Sequence, residues 1–211
     1  MDFNKYDLYV FDVDGTLYYQ NKLRLIMGKR LLMYYLLHPL KFKDLIIIKN
    51  FRSLRENAKD TNGLFDITAK KCNVSVSRVN EVIKKWIYEN PIDALIASKD
   101  DTLLAIIDKL KANGKTVAIW SDYEADDKLK ALQLSTDYVY TAEQERVGEL
   151  KPSPKGLNLI MSDLNVPKDK TIMIGDRMIK DGEAAKKAGC DYLILSKSKI
   201  KREKQLKTLL V

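Results

Sequence analysis

Two aspartates stand two residues apart where an apolar run ends, in "YVFDVDGTLYY", residues 9 to 19. Asp12 and Asp14 are followed at once by Gly15 and Thr16, which let the chain turn away sharply and bring backbone N–H groups close to an anion. Other residues able to do chemistry close later apolar runs: Ser121 after "TVAIW", Lys151 in "VGELKPSP", and Asp176 with Asp181 in "MIGDRMIKD". Carboxylates gathered in one place repel one another unless a cation sits among them. Mg²⁺ prefers oxygen ligands in octahedral geometry, shared with phosphate and water, so repelling acids are what such a metal site is made of.

Each of these residues also has an ordinary use. Asp-x-Asp-Gly closes turns after strands. Ser121 and Asp176 sit where they could cap a following helix, and a lone lysine such as Lys151 is usually a solvated surface residue. Only elements that bring all of them to one place decide between the two uses.

Those elements are legible from residue 100 onward, where the apolar period alternates. "DTLLAIIDKLKANG" is an amphipathic helix closing on Gly114, and "TVAIWS" is a buried strand. A helix over roughly 124–133 leads to a strand at "DYVYT". "SPKGLNLIMSDLN" then supplies a helix with Ser153 as cap and Pro154 in its first turn. "TIMIG" and "YLIL" are strands, with "IKDGEAAKKAG" a helix between them that ends on Gly189. Alternating strands and helices predict an α/β, Rossmann-like parallel sheet with right-handed crossovers, in which ligands bind beyond the carboxyl ends of the strands. All the residues named above fall at such ends.

Residues 17–95 differ, being helical in period with little β-branched alternation apart from "LIIIK" at 45–49. The expected division is therefore a core of 1–16 and 96–211 with a helical insertion of 17–95. Residues 196–211 read as a basic C-terminal helix or frayed tail.

The chain has 211 residues, 45% hydrophobic and 31% charged, as expected of a soluble globular protein able to bury a core. Its two cysteines, Cys72 and Cys190, are far apart without metal-type spacing, which fits a reduced, cytoplasmic setting. The acid-containing N-terminus does not resemble a secretory signal, and "LLMYYLLHPL" is too short to span a bilayer, so no transmembrane segment is expected. His38 is the only histidine and lies beside Pro39, which argues against a mechanism with a histidine base.

In order and position the four motifs resemble those of the haloacid dehalogenase superfamily, over residues 7–20 and 115–195. "DVDGT" is similar to its first motif, the serine of "AIWS" to its second, the lysine of "KPSP" to its third and "GDRMIKD" to its fourth. The resemblance implies Asp12 as nucleophile and metal ligand, Asp14 as a ligand through its backbone carbonyl, and Asp176 as the remaining protein ligand to Mg²⁺. It gives Asp181 the task of orienting Lys151 or a metal-bound water. Asp14 would protonate the leaving oxygen and then deprotonate the hydrolytic water. Ser121 and Lys151, with Gly15 and Thr16, would hold the phosphate oxygens. An acid at position 14 suits phosphoryl transfer, where a leaving alcohol needs a proton, and argues against dehalogenation. The expected activity is Mg²⁺-dependent hydrolysis of a small organic phosphate monoester through an aspartyl-phosphate. A sugar phosphomutase is the alternative.

The insertion falls where that superfamily places a helical cap over its site. Residues 20–59 hold ten Lys or Arg against Asp44 and Glu56, so this segment's net +8 equals that of the whole chain. Its readings are a solvated outer face, an interfacial helix for anionic membrane, or a surface steering a polyanionic substrate. In a non-enzymatic alternative the whole fold is a basic docking module for membrane or polyanion. No nucleic-acid motif accompanies the charge, and no nucleic-acid partner is expected.

Overall fold

Short apolar runs become five parallel strands in the computed structural model, which describes residues 3–210. They are β1 (Leu8–Phe11), β2 (Thr116–Ser121), β3 (Val139–Thr141), β4 (Thr171–Gly175) and β5 (Asp191–Ile194), ordered β3-β2-β1-β4-β5 in one sheet. Strand side chains alternate, and both faces are apolar, as a sheet covered on both sides requires. Tyr9, Phe11, Val117, Ile119, Ile172 and Ile174 point to one face. Leu8, Val10, Ala118, Trp120 and Met173 point to the other. The fold is the α/β, Rossmann-like sheet that the alternation predicts.

Five helices flanking the sheet arise from the amphipathic runs. They are α6 (Asp101–Ala112), α7 (Asp126–Ala131), α8 (Lys155–Asp163), α9 (Glu183–Ala188) and α10 (Lys199–Lys207). Some boundaries move from those expected. Helix α7 is shorter, because Gln133 takes a left-handed conformation with φ of 58°. Helix α8 begins at Lys155 with Pro154 in the cap position, while the Ser153 Oγ accepts the Lys155 N–H at 3.2 Å.

Between β1 and α6 lie α1 (Gln20–Leu37), α2 (Lys43–Asn57), α3 (Leu64–Cys72), α4 (Val76–Ile83) and α5 (Pro91–Ile96), with a π-helical turn at Lys84–Glu89. They share a core of their own that includes Met27, Tyr35, Ile47, Phe51, Val79 and Trp86. The β-branched run "LIIIK" is part of α2: burial of Ile47 and Ile48 outweighs the weak local preference for strand. The chain enters and leaves this layer side by side. The Tyr19 N–H donates to the Ser98 carbonyl at 2.8 Å, and the Asp100 N–H to the Leu17 carbonyl at 3.0 Å.

Helix α10 is docked, not frayed. Its Arg202 is buried, donating from Nε to the Asp100 carboxylate at 2.6 Å and from its terminal nitrogens to the carbonyls of Gly15, at 3.0 Å, and Thr16. Asp100 also caps α6 by accepting the Leu103 N–H. One guanidinium thus ties the loop after Asp14 to the far end of the insertion. Arg202→Ala would strand a buried carboxylate and two carbonyls, and should lower unfolding stability by about 3 kcal/mol or more, read from urea denaturation.

Candidate active site

The sheet order reverses at β1, whose neighbours are β2 and β4, and open α/β sheets bind ligands at such a point. Phe11 pairs with Ile174, so the chains leaving β1 and β4 deliver Asp12 and Asp176 side by side. The Asp12 N–H continues the ladder to the Ile174 carbonyl at 2.9 Å. Lys151 arrives from the loop before α8, held by its own N–H on Asp122 Oδ1 at 2.9 Å.

Lys151 is 2% exposed, and its ammonium donates to Asp12 Oδ1 at 2.5 Å, Asp181 Oδ1 at 2.8 Å and the Trp120 carbonyl at 3.2 Å. Burial alone would pull the Lys151 ammonium down, but Asp12 and Asp181 outweigh it and hold it above the ordinary lysine range. Burial pushes Asp12 well up. The Lys151 charge opposes that, while Asp181, Asp176 and Asp14 push further. Thr16 gives its hydroxyl to Asp12 Oδ2 at 2.8 Å, and its N–H closes the turn on the Val13 carbonyl.

Asp12, Asp176 and Asp181 bring carboxylate oxygens within 4.8 Å of one another. Their availability differs. Both oxygens of Asp181 are engaged, one by Lys151 and the other by the Arg177 N–H at 3.0 Å. Asp176 Oδ1 is buried with no hydrogen-bond partner. Such an orphaned carboxylate oxygen beside two further acids fits a hard divalent cation. Two glycines permit the crowding. Gly15 has φ of +98°, and a Cβ there would lie 2.5 Å from Asp176 Oδ2. A Cβ on Gly175 would overlap the Asp181 carboxylate.

Asp14 lies beside this cluster with its carboxylate turned elsewhere. Lys128 of α7 donates to both its oxygens, at 2.6 and 2.8 Å, and the Tyr18 hydroxyl donates to Oδ1. Burial works to raise Asp14, but the Lys128 charge and these hydrogen bonds prevail and hold it below the ordinary carboxylate range. Neither partner carries a motif. Tyr18 could have been suspected from its place four residues after Asp14, whereas nothing local marks Lys128. Ser121 closes β2, fully buried, with its Oγ accepting the Tyr123 N–H at 3.1 Å.

A cavity of about 650 Å³ opens from this floor, with Asp12, Asp14, Lys128, Lys151 and Asp181 in its lining. The helical insertion supplies the opposite wall: apolar Leu23, Met27, Ile48 and Trp86, with Arg24 and Arg52 among them. Insertion and sheet meet around it. Arg55 donates to the Asp122 carbonyl and to Glu143 at 2.8 Å, and its guanidinium carbon lies 4.0 Å from the centre of the Tyr123 ring. Arg177 pairs with Glu56 of α2.

Fold and site together define a parallel α/β enzyme that gathers acids around one buried lysine at its strand ends. A family model for haloacid dehalogenase-like hydrolases matches residues 6–189, and the chain belongs to that family. No curated protein sequence matches the chain. Among solved structures it is similar to the candidate HAD-hydrolase YfnB from Bacillus subtilis, bound to magnesium, at TM-score 0.61 and 17% identity over 90% of this chain and 86% of that one. A candidate β-phosphoglucomutase from Thermotoga maritima gives 0.59 and 19%, over 90% and 85%. A candidate phosphoglycolate phosphatase from Lactobacillus delbrueckii gives 0.57 and 19%, over 95% and 91%.

The acid cluster should be visible in stability. Burial first, and then Asp181, raise Asp176 from 3.8 to about 6, so between those values the folded state binds protons that the unfolded state does not. In EDTA, stability should therefore fall as pH rises from about 4 to about 6. Asp176→Asn should flatten this fall and add on the order of 2 kcal/mol at neutral pH in EDTA, measured by urea titration across the range.

Proposed function

We propose that the chain is a Mg²⁺-dependent phosphatase acting on a small organic phosphate monoester through an aspartyl-phosphate on Asp12. The observation that carries this is the Lys151 ammonium bridging Asp12 and Asp181 while Asp176 Oδ1 lies buried and unpartnered beside them. Mg²⁺, held by Asp12, Asp176 and the Asp14 backbone carbonyl, would shield the approach of a phosphate dianion to a carboxylate. Asp181, with both oxygens occupied, serves to position Lys151.

The Asp12 carboxylate attacks phosphorus in line, the bond to the leaving oxygen breaks, and Asp14 gives that oxygen its proton. Lys151 moves from Asp12 onto the non-bridging oxygens, where Ser121 joins it. In the second half, Asp14 takes a proton from water, the water oxygen bonds to phosphorus and the bond to Asp12 breaks, releasing phosphate. The Lys128 contact keeps Asp14 in the ionised form that this second half needs. For the first half Lys128 must let go, drawn off by the incoming phosphate, and Asp14 then carries the proton that it took from water in the preceding turnover or, in the first one, takes from solvent. Residues 17–95 act as a cap over a core of 1–16 and 96–211. The volume of the cavity suits a small ligand, and its insertion-side wall suits a partly apolar leaving group.

The test is release of phosphate from a chromogenic ester and a panel of sugar, nucleotide and small-acid phosphates, with Mg²⁺ and with EDTA. Turnover should need the metal, and Asp12→Asn should lower it at least about a thousandfold. Metal-independent turnover, or turnover surviving the substitution, overturns the mechanism. Lys128→Met should raise the Asp14 pKa and so move the alkaline limb of the kcat profile to higher pH, since the proton donor then keeps its proton longer. An unmoved limb would remove Lys128 from control of Asp14.

A further inference from the structure

From Leu31 to Leu37 helix α1 is apolar on every side, yet only Met27 and Tyr35 are buried along its whole length. Its inner face is accounted for by the cavity, which Leu23, Met27 and Leu31 line. The outer face carries Leu25, Leu32 and Leu36, spaced seven and four residues apart on one stripe and 61%, 60% and 63% exposed. Met33 and Leu37 widen the stripe. The chain extends it through the turn Pro39–Lys41, where Leu40 is 98% exposed, and into the start of α2 with Phe42 and Ile46. A helix apolar all round belongs in apolar surroundings, and a contiguous exposed apolar patch marks an interaction surface.

Charge selects the partner. Lys22, Lys29, Lys41, Lys43 and Lys49 are all exposed on or beside this surface. Asp44 is the one acid between residues 20 and 55, and it is buried and paired with Arg78 at 2.7 Å. Within residues 20–55 the face therefore presents leucines and lysines with no exposed carboxylate, and the exposed Glu81 and Asp93 of the neighbouring helices are paired with Arg78 and Arg30. A second copy docked through a twofold axis would set lysines against lysines. An anionic bilayer accommodates both sets, taking apolar side chains at the headgroup boundary and ammonium groups on its phosphates. Among the described residues no helix is long and apolar enough to cross a membrane, so this contact lies in the surface.

We propose that the outer face of α1, the turn Pro39–Lys41 and the start of α2 seat this protein on anionic lipid bilayers. The contact does not depend on the catalytic reading, because none of the residues tested below lines the cavity. The full chain is sedimented with vesicles of phosphatidylcholine alone and of phosphatidylcholine with phosphatidylglycerol, alongside Leu36→Asp/Leu40→Asp and Lys41→Glu/Lys43→Glu. Circular dichroism and thermal melting check that each variant is folded. Wild type should partition onto the anionic vesicles and not onto the neutral ones, and each double variant should bind them at least about tenfold more weakly. Wild type left in the supernatant with anionic vesicles overturns the proposal. So does binding that the lysine variant loses and the leucine variant keeps, since that is adsorption by charge without apolar insertion. A dimer in light scattering that Leu36→Asp/Leu40→Asp dissolves, with no vesicle binding, assigns the face to a second copy and overturns it equally.

Discussion

The ammonium of Lys151, shut away from water between Asp12 and Asp181, is the interaction on which the rest of the site depends. Buried charges are costly unless each is matched, and here one cation faces a group of acids that also repel one another. Matching them requires positions fixed to fractions of an ångström. The sheet supplies this, because β1 and β4 are hydrogen-bonded neighbours whose ends cannot drift apart. Gly15 and Gly175 then allow carboxylates to approach backbone more closely than any side chain would permit. Arg202 fixes the outgoing loop from behind, through the carbonyls of Gly15 and Thr16. The charge balance still leaves Asp176 short of a partner, and a cation is what such a deficit accepts.

How much of this could be read from the sequence follows from the range of the forces involved. The strands and the residues ending them were legible, since period-two burial and turn chemistry are local. Asp12 and Asp176 converge because a parallel sheet carries its strand ends to one edge, and the loop before α8 and the turn after β4 bring Lys151 and Asp181 to the same place. The Lys128 contact with Asp14 was not legible, because it depends on how α7 is set against the loop after β1, more than a hundred residues away in the chain. The "LIIIK" segment belongs to the helical insertion as expected, its local preference for strand yielding to burial within a helical layer. The C-terminal segment could be read only as a basic helix or a frayed tail, since nothing in its composition shows that Arg202 faces inward.

The excess positive charge of residues 20–59 is not one feature but three. Part of it faces the cavity, where Arg24 and Arg52 add to the field felt by an entering anion. Part is spent on holding the insertion to the sheet, since Arg55 is buried against Asp122, Glu143 and Tyr123. The remainder, mostly lysine, lies outward among exposed leucines. Within residues 20–59 the buried and cavity-lining places go to Arg55, Arg24 and Arg52, with their planar forks of donors, and the lysines stay in water.

Helix α1 therefore works under two constraints at once. Its inner residues must leave a cavity next to Asp12 and Asp14, which denies the helix the close packing that would bury them. Its outer residues have no protein layer above them. The helix between cavity and solvent is anchored by Met27 and Tyr35 in the insertion core, by Tyr34 and Tyr35 against the Trp86 ring, with centroids 5.2 and 5.8 Å away, by the Tyr19 to Ser98 hydrogen bond at one end, and by Arg30 donating to the Asn90 carbonyl at 2.8 Å further along. Anything that covers the outer face would steady that wall of the cavity. In this way the surface chemistry of α1 and the shape of the cavity are properties of the same eighteen residues.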